Sequence, residues 1–161
     1  MDGIDNIDGG SIQDLYIAAN SQLSNCEVEN VCDYLASPNG SVNIYNNASG
    51  CNNPAEVASA CGFTISCLPY GNYYFYSQAD VDDFQSSFPG CFDLQGSVTI
   101  YGSDITNLNG LNIMTSIGKN LTIILNDALN NLMGLESVSS IGGDLVINSN
   151  YALNSLKGID N

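Results

Sequence analysis

The stretch SSIGGDLVINSNYALNSLKG, residues 139–158, repeats the pattern of TSIGKNLTIILNDALNNLMG, residues 115–134. The shared unit condenses to L-x-I-x-x-N-x-x-L-x-x-L-x-G-L-x-x-V-x-x-I-G. The two segments are 24 residues apart. Apolar residues that recur every two or three positions over a 24-residue period fit neither a single helix nor a long strand. A repeat of this length is typical of coils that stack around a shared core, so we predict a solenoid.

Each part of the unit has a predicted place in a coil. The L-x-I piece predicts a short strand with both large side chains inward, and the later leucines turn corners and stack on their equivalents. The asparagine that follows the strand predicts a ladder of amides that cap turn N–H groups from inside. This structural ladder is predicted at Asn20, Asn126 and Asn150.

The N-terminal segment carries the same pattern as the C-terminal one. Leu15, Ile17, Asn20, Leu23 and Cys26 have the spacing of Leu145, Ile147, Asn150, Leu153 and Leu156. The tetrapeptide GIDN occurs at residues 3–6 and again at residues 158–161. The two ends overlap in register, which predicts one period of a longer array, cut through its repeats.

The middle of the chain interrupts the pattern. Helical spacing in residues 28–35 and a helix start at residues 53–56 predict a cap that closes a first solenoid. A helix between residues 77 and 90 predicts a second cap, and the strand GSVTIY at 96–101 starts a second solenoid. We predict a mainly β fold of two partial solenoids joined by internal disulfide caps. Its parts are 1–62 (the end of one solenoid with its C-terminal cap), 63–95 (a junction and the N-terminal cap of the next) and 96–161 (the start of the second solenoid).

Six cysteines form an even set without a C-x-x-C pair, and the chain has no histidine, which argues against a zinc site. Disulfides are the better interpretation and place the protein outside the cytoplasm. Six cysteines allow 15 pairings. Stacking favours Cys26–Cys51, the second cap helix is bracketed by Cys67–Cys91, and Cys32–Cys61 remains.

Charge excludes several classes of partner. The chain has 17 acidic residues against two lysines, and its net charge is −15. Nucleic acid and anionic membrane surfaces would repel it. No apolar run reaches the roughly 20 residues that a membrane-spanning helix needs, so membrane insertion is not expected.

Three motifs together resemble the receptor L-domain class of leucine-rich-repeat-like proteins. They are GSDITNLNGL at 102–111, the doubled SIGxxLxI, and Cys67 and Cys91 around a helix just before a strand. The resemblance covers about residues 67–161, and the tail of a second copy covers 1–61; it is most similar to repeats of secreted bacterial surface proteins. It implies a right-handed β-solenoid, a secreted or cell-surface location, and binding or adhesion. It transfers no catalytic residue and no ligand.

Catalysis is not expected. Polysaccharide-degrading solenoids need clustered carboxylates or a basic residue, yet this chain has no arginine or histidine and its lysines lie in predicted loops. Asp82 and Asp83 are adjacent, but they lie on the polar side of a predicted helix. We therefore predict a non-enzymatic protein without a cofactor.

The outward side chains of the predicted strands are candidate binding residues for a glycan or a protein. They are Tyr16, Tyr45, Thr99, Tyr101 and Thr122. The alternative is that threonine and tyrosine are simply favourable strand residues. In YGNYYFYS, residues 70–77, we expect alternate rings to bury the junction between the caps rather than to stack on sugars.

Polar residues before the strands invite calcium. Asp14, Asn120 and Asp144 occupy equivalent positions in a strongly acidic chain, although no D-x-D-x-D-G loop is present. Sequons at Asn39, Asn47 and Asn120 would accept a glycan only in a eukaryotic secretory pathway.

Two functions fit these patterns. The first is an extracellular structural or adhesive repeat unit, one link of a tandem array or head-to-tail fibre. Its partners would be copies of itself, in the same or a neighbouring chain. The alternative is a ligand-binding module that recognises a surface glycan or a protein through the exposed strand faces.

Overall fold

The structure, a computed structural model, describes Ile4 and residues 6–65, 67–68 and 71–160. The chain divides into two compact units, unit 1 (Met1–Gly71) and unit 2 (Asn72–Asn161). The division falls inside residues 63–95, the segment that the sequence marks as a junction. The finer division into three parts stays a prediction.

The secondary structure is mixed, with about 20% helix and 18% strand. The strands of the described chain are β1 (Leu15–Ala18), β2 (Val42–Tyr45), β3 (Tyr73–Phe75), β4 (Asp93–Leu94), β5 (Val98–Ile100), β6 (Ser116–Ile117), β7 (Leu121–Ile124), β8 (Ser140–Ile141) and β9 (Leu145–Asn148). The α-helices are α1 (Glu29–Ala36), α2 (Pro54–Ala60), α3 (Gln78–Asp82) and α4 (Phe84–Ser87), and 3-10 turns cover Gly9–Ser11 and Asn109–Leu111.

The predicted fold class, a mainly β right-handed β-solenoid made of two partial solenoids, is wrong. The chain is mixed α/β, with small parallel sheets and no closed or solenoid topology in the part that the structure describes. The reason is local, because the apolar alternation of each unit extends over only L-x-I. The backbone then turns into the left-handed region at Leu125 (φ 57°) after β7 and at Ser149 (φ 55°) after β9. Short strands and the helices between them therefore share the chain about equally.

Unit 2 contains a four-stranded parallel sheet in the order β3-β5-β7-β9 and a three-stranded one in the order β4-β6-β8. Leu121 of β7 lies opposite Leu145 of β9, and Ile123 lies opposite Ile147. The partners in each pair are 24 residues apart along the chain, which is also the interval between the two repeated segments. The inward side chains of β5 and β7 are fully buried and form the centre of the core.

Unit 1 contains a two-stranded parallel sheet, β1-β2, with Leu15 opposite Val42 and Ile17 opposite Ile44. Helix α1 buries Val31 and Leu35. Helix α2 begins as the sequence predicts, because Asn53 accepts a hydrogen bond from the Glu56 N–H and Pro54 occupies the first turn.

All cysteines of the chain are disulfide-bonded. In unit 1, Cys26 is bonded to Cys51 and Cys32 to Cys61, each pair with its Cα atoms 5.6 Å apart. These are the partners that stacking and elimination favoured. Cys67 and Cys91 are disulfide-bonded as well, so the chain holds three disulfides.

Candidate functional site

An amide ladder, formed by Asn126 and Asn150 in unit 2, follows the strands. Asn126 is completely buried; its Nδ2 donates to the Ile100 carbonyl at 3.0 Å and its Oδ1 accepts from the Gly102 N–H at 2.9 Å. Asn150 repeats the pattern: its Nδ2 donates to the Ile123 carbonyl at 2.9 Å, and its Oδ1 accepts from the Asn126 N–H at 2.9 Å. Each side chain therefore bonds backward to the turn of the preceding repeat.

Unit 1 contains the same amide ladder, formed by Asn20 and Asn47. The Asn20 N–H and Nδ2 donate to Asn47 Oδ1 at 3.0 and 3.1 Å, and Asn47 Nδ2 donates to the Ile17 carbonyl at 2.8 Å. Sequence reasoning named Asn47 only as a sequon and missed this role, although VNIYNN carries the signal because Asn47 completes an L-x-I-x-x-N pattern. A glycan on Asn47 would occupy Nδ2, the nitrogen that donates to the Ile17 carbonyl and, at 3.0 Å, to the Cys51 carbonyl.

A second ladder of side chains precedes the strands of unit 2; we term it the strand-start ladder. Asn72 Oδ1 accepts from the Ser97 N–H at 2.8 Å, Ser97 Oγ from the Asn120 N–H at 3.4 Å, and Asn120 Oδ1 from the Asp144 N–H at 2.9 Å. Each side chain here bonds forward to the next turn. The two ladders therefore run in opposite directions at the two ends of the strands.

Asp14 starts the strand-start ladder of unit 1. Its Oδ1 accepts from the Ser41 hydroxyl at 2.7 Å and from the Ser41 N–H at 2.8 Å. These two hydrogen bonds, the hydroxyl first, lower the pKa of Asp14 below its ordinary value because they stabilise the ionised carboxylate.

The residues expected to invite calcium belong to different units. Asp14 lies in unit 1, whereas Asn120 and Asp144 lie in unit 2, and their positions are those of the strand-start ladder. Over the described ranges, no group of three or more acidic, cysteine or histidine side chains could hold a metal ion. Calcium binding stays a prediction that this geometry does not support.

The outer edge of β9 is uncovered. Among the strands that the structure describes, β9 is the last of its sheet and has β7 as its one neighbour. Leu145 is 46% exposed and Leu156 53% exposed, whereas Leu121 and Leu132, their equivalents in the preceding repeat, are completely buried. The apolar columns therefore continue to this edge and stop in water.

The outer edge of β1 is also unpaired, because β1 has β2 as its only neighbour among the described strands. Before it, Ile4 and Ile7 expose 44% and 47% of their side chains. In the described part of the chain, β1 and β9 therefore each lack a strand neighbour on one side, and such an edge can pair with a further strand.

The predicted binding residues fall into two groups, one in each unit. Tyr16 and Tyr45 lie side by side in unit 1: their hydroxyls are hydrogen-bonded and their rings meet edge to face with centroids 5.8 Å apart. In unit 2, Thr99 of β5 lies opposite Thr122 of β7, with Tyr101 just after β5.

Two further tyrosines, which belong to the segment YGNYYFYS where stacking on sugars was not expected, lie on the same face as Tyr101. The Tyr76 ring meets the Tyr101 ring at 5.8 Å and stacks on Tyr74 at 5.9 Å. The intervening rings, Tyr73 and Phe75, are each only 3% exposed, and alternation within YYFY was the available signal. Tyr70, the first ring of that segment, lies outside the described residues.

The other two sequons are solvent-exposed. Asn39 Nδ2 donates to the Gly10 carbonyl at 3.0 Å, and Asn120 uses its Oδ1 in the strand-start ladder. A glycan on Asn39 would compete with this bond and with the one that Nδ2 donates to the Ile12 carbonyl at 3.5 Å.

Comparisons of the chain with protein-family models, with curated proteins and with solved structures find no match. The resemblance to the receptor L-domain class therefore stays a prediction from the quoted motifs. None of the described helices combines the length and apolar character that crossing a bilayer requires.

Proposed function

We propose that this chain is an extracellular structural or adhesive unit that associates end to end with further copies of itself. The observation that carries the proposal is the uncovered edge of β9, where Leu145 and Leu156 are exposed and their counterparts one turn earlier are buried. An unpaired parallel strand presents N–H and C=O groups that a further strand satisfies. The three disulfides and the resemblance to secreted surface proteins support the extracellular location.

The proposed association is weak for a single pair of copies. Burying the exposed half of a leucine side chain contributes about 1 kcal/mol to the free energy of association. Leu145 and Leu156 together therefore contribute about 2 kcal/mol. Two copies with a net charge of −15 also repel each other. Backbone pairing of β9 with a further strand has to supply the rest of the free energy of association.

Analytical ultracentrifugation over a wide concentration range tests the proposal. We expect the average mass to rise with concentration, and to rise more steeply in 300 mM than in 20 mM NaCl because salt screens the repulsion, with a Debye length of about 10 Å at 0.1 M. Leu145→Asp should abolish the rise, because it places a charge in the apolar column of β9.

Met133→Asp is the matched control. Met133 is 42% exposed, close to the value for Leu145, and lies in the same unit outside strand β9. A wild-type chain that stays monomeric at all concentrations, or equal effects of the two substitutions, would refute end-to-end association.

A second candidate function, binding of a glycan through the strand faces, is favoured by the cluster of Tyr74, Tyr76 and Tyr101. Rings in this arrangement are suitable for stacking on sugars, and each aromatic contact contributes about 0.5–1.5 kcal/mol. We expect Tyr76→Ala or Tyr101→Ala to weaken a ligand found in a glycan screen by roughly three- to tenfold each.

Tyr151→Ala serves as the control for the tyrosine cluster. Tyr151 is 82% exposed and does not belong to the cluster. Titration of the selected glycan should give the same affinity for this variant as for the wild type. If no glycan binds, or if Tyr151→Ala weakens binding as much as the other two, the strand face is not a glycan site.

A further inference from the structure

The edge of β9 carries polar groups that are left without partners. Within the described residues, the Asn150 N–H donates to nothing and the Asp144 carboxylate accepts nothing. One turn earlier the equivalent groups are both used: the Asn126 N–H donates to Asn150 Oδ1, and Asn120 Oδ1 accepts from the Asp144 N–H. At this edge each ladder therefore lacks the hydrogen bond that its equivalent groups make in the preceding repeat.

The edge of β1 carries the opposite set. Asn20 Oδ1 accepts no hydrogen bond and the Asp14 N–H donates none in the described part of the chain. The remaining groups of these two residues are directed toward β2, through Asn47 and Ser41. The β9 edge therefore offers a donor after the strand and an acceptor before it. The β1 edge offers an acceptor after the strand and a donor before it.

We propose that the partner at β9 is the β1 edge of a second copy, with Leu145 of one copy opposite Leu15 of the next. In this register, Asn150 donates to Asn20 Oδ1 and the Asp144 carboxylate accepts from the Asp14 N–H, so both ladders continue across the joint. This inference rests on the proposed function and specifies which edges meet.

The backbone groups of the two strands agree with this register. Leu121 and Leu125 donate to the Asp144 and Asn148 carbonyls, so in β9 the alternate groups, the N–H and C=O of Leu145 and Ile147, face the free edge. In β1, the Leu15 N–H donates to the Ser41 carbonyl of the β2 side. The N–H groups of Tyr16 and Ala18 therefore face the free edge of β1. Parallel pairing joins the Leu145 N–H to the Asp14 carbonyl, as Leu121 is joined to Asp144.

A mixing experiment with two edge-blocked variants of the 161-residue chain tests which edges meet. Leu145→Asp blocks the β9 edge, and Ile7→Asp blocks the β1 edge at a side chain that is 47% exposed in the free copy. We expect each variant alone to be monomeric in ultracentrifugation, and an equimolar mixture to form a one-to-one complex that grows no further.

The outcomes separate this inference from the proposed function. If Ile7→Asp forms dimers by itself, β9 pairs with β9 of another copy: end-to-end association survives, and the β1 partner is refuted. If the mixture stays monomeric although the wild type assembles, the inference is refuted again. A monomeric wild type refutes the proposed function itself.

Asp144→Ala tests the ladder bond across the joint. The substitution removes a negative charge, which by itself favours association of two acidic copies. We nevertheless expect the dissociation constant of the joint to rise about five- to tenfold, because the Asp14 N–H of the next copy loses its acceptor. Asp127→Ala, the same charge change at an exposed position of unit 2, should leave association unchanged or strengthen it. Equal shifts in the two variants would contradict the ladder bond, and Asp144→Asn should restore association because it keeps an acceptor oxygen.

Discussion

Asn126→Leu is expected to lower the free energy of unfolding by about 3–4 kcal/mol, since each buried polar group left without a partner costs about 1–3 kcal/mol. The side chain is completely buried and leucine fills nearly the same volume, so no cavity explains the loss. The substitution leaves the Gly102 N–H without its acceptor and removes donors from the Ile100 carbonyl and from Asn150 Oδ1. Equilibrium urea denaturation measures the change.

Asn112→Leu provides the comparison for Asn126. Asn112 is an exposed residue of the same unit whose Oδ1 accepts one hydrogen bond, from Gln85 at 3.0 Å. Its replacement should change stability by no more than about 0.5 kcal/mol, as is usual for surface positions. Similar losses for the two variants would show that the amide ladder is not a main source of stability.

Gly134→Ala is expected to cost about 3–4 kcal/mol, combining left-handed backbone strain of about 1–2 kcal/mol with the cost of overpacking. Gly134 has φ +111°, and an added Cβ would overlap the Leu108 carbonyl and lie 2.8 Å from the Asn109 nitrogen. These neighbours are backbone atoms, which cannot rotate away as a side chain would. Thermal unfolding followed by circular dichroism should show a clearly lower midpoint.

Gly90→Ala separates strain from overlap. Gly90 has φ +77°, but nothing lies within 4 Å of the Cβ that alanine would add. Its cost should be limited to the strain of about 1–2 kcal/mol. If Gly134→Ala is no more harmful than Gly90→Ala, the close approach of consecutive turns at Gly134 does not restrict the side chain.

Much of the local pairing could be predicted from the sequence because it repeats the same contacts. The interval between repeats gives the register of Leu121 with Leu145, and the L-x-I-x-x-N pattern gives the buried position of Asn126. The fold class could not be predicted in the same way. Strand length depends on where the backbone turns, and neither Leu125 nor Ser149 has a side chain that signals a positive φ.

The candidate site was predictable only in part, for two physical reasons. The strand-start ladder uses an asparagine, a serine or an aspartate at equivalent positions, because any side-chain oxygen accepts the same N–H. A pattern search by residue type therefore misses it. The residue type of Leu145 also does not reveal its exposure. The equivalent Leu121 is a leucine too but is buried, because its neighbours in the fold differ.

The opposed directions of the two ladders bear on which strands can pair with the open edge of β9. An open strand edge invites any extended peptide, and mispaired strands are the usual start of amyloid. Here an intruding peptide that slides by even one residue faces an unmet amide at one end of β9 and an unmet carboxylate at the other. Under the proposed pairing, these two polar groups would favour strands that carry the matching groups in the matching register.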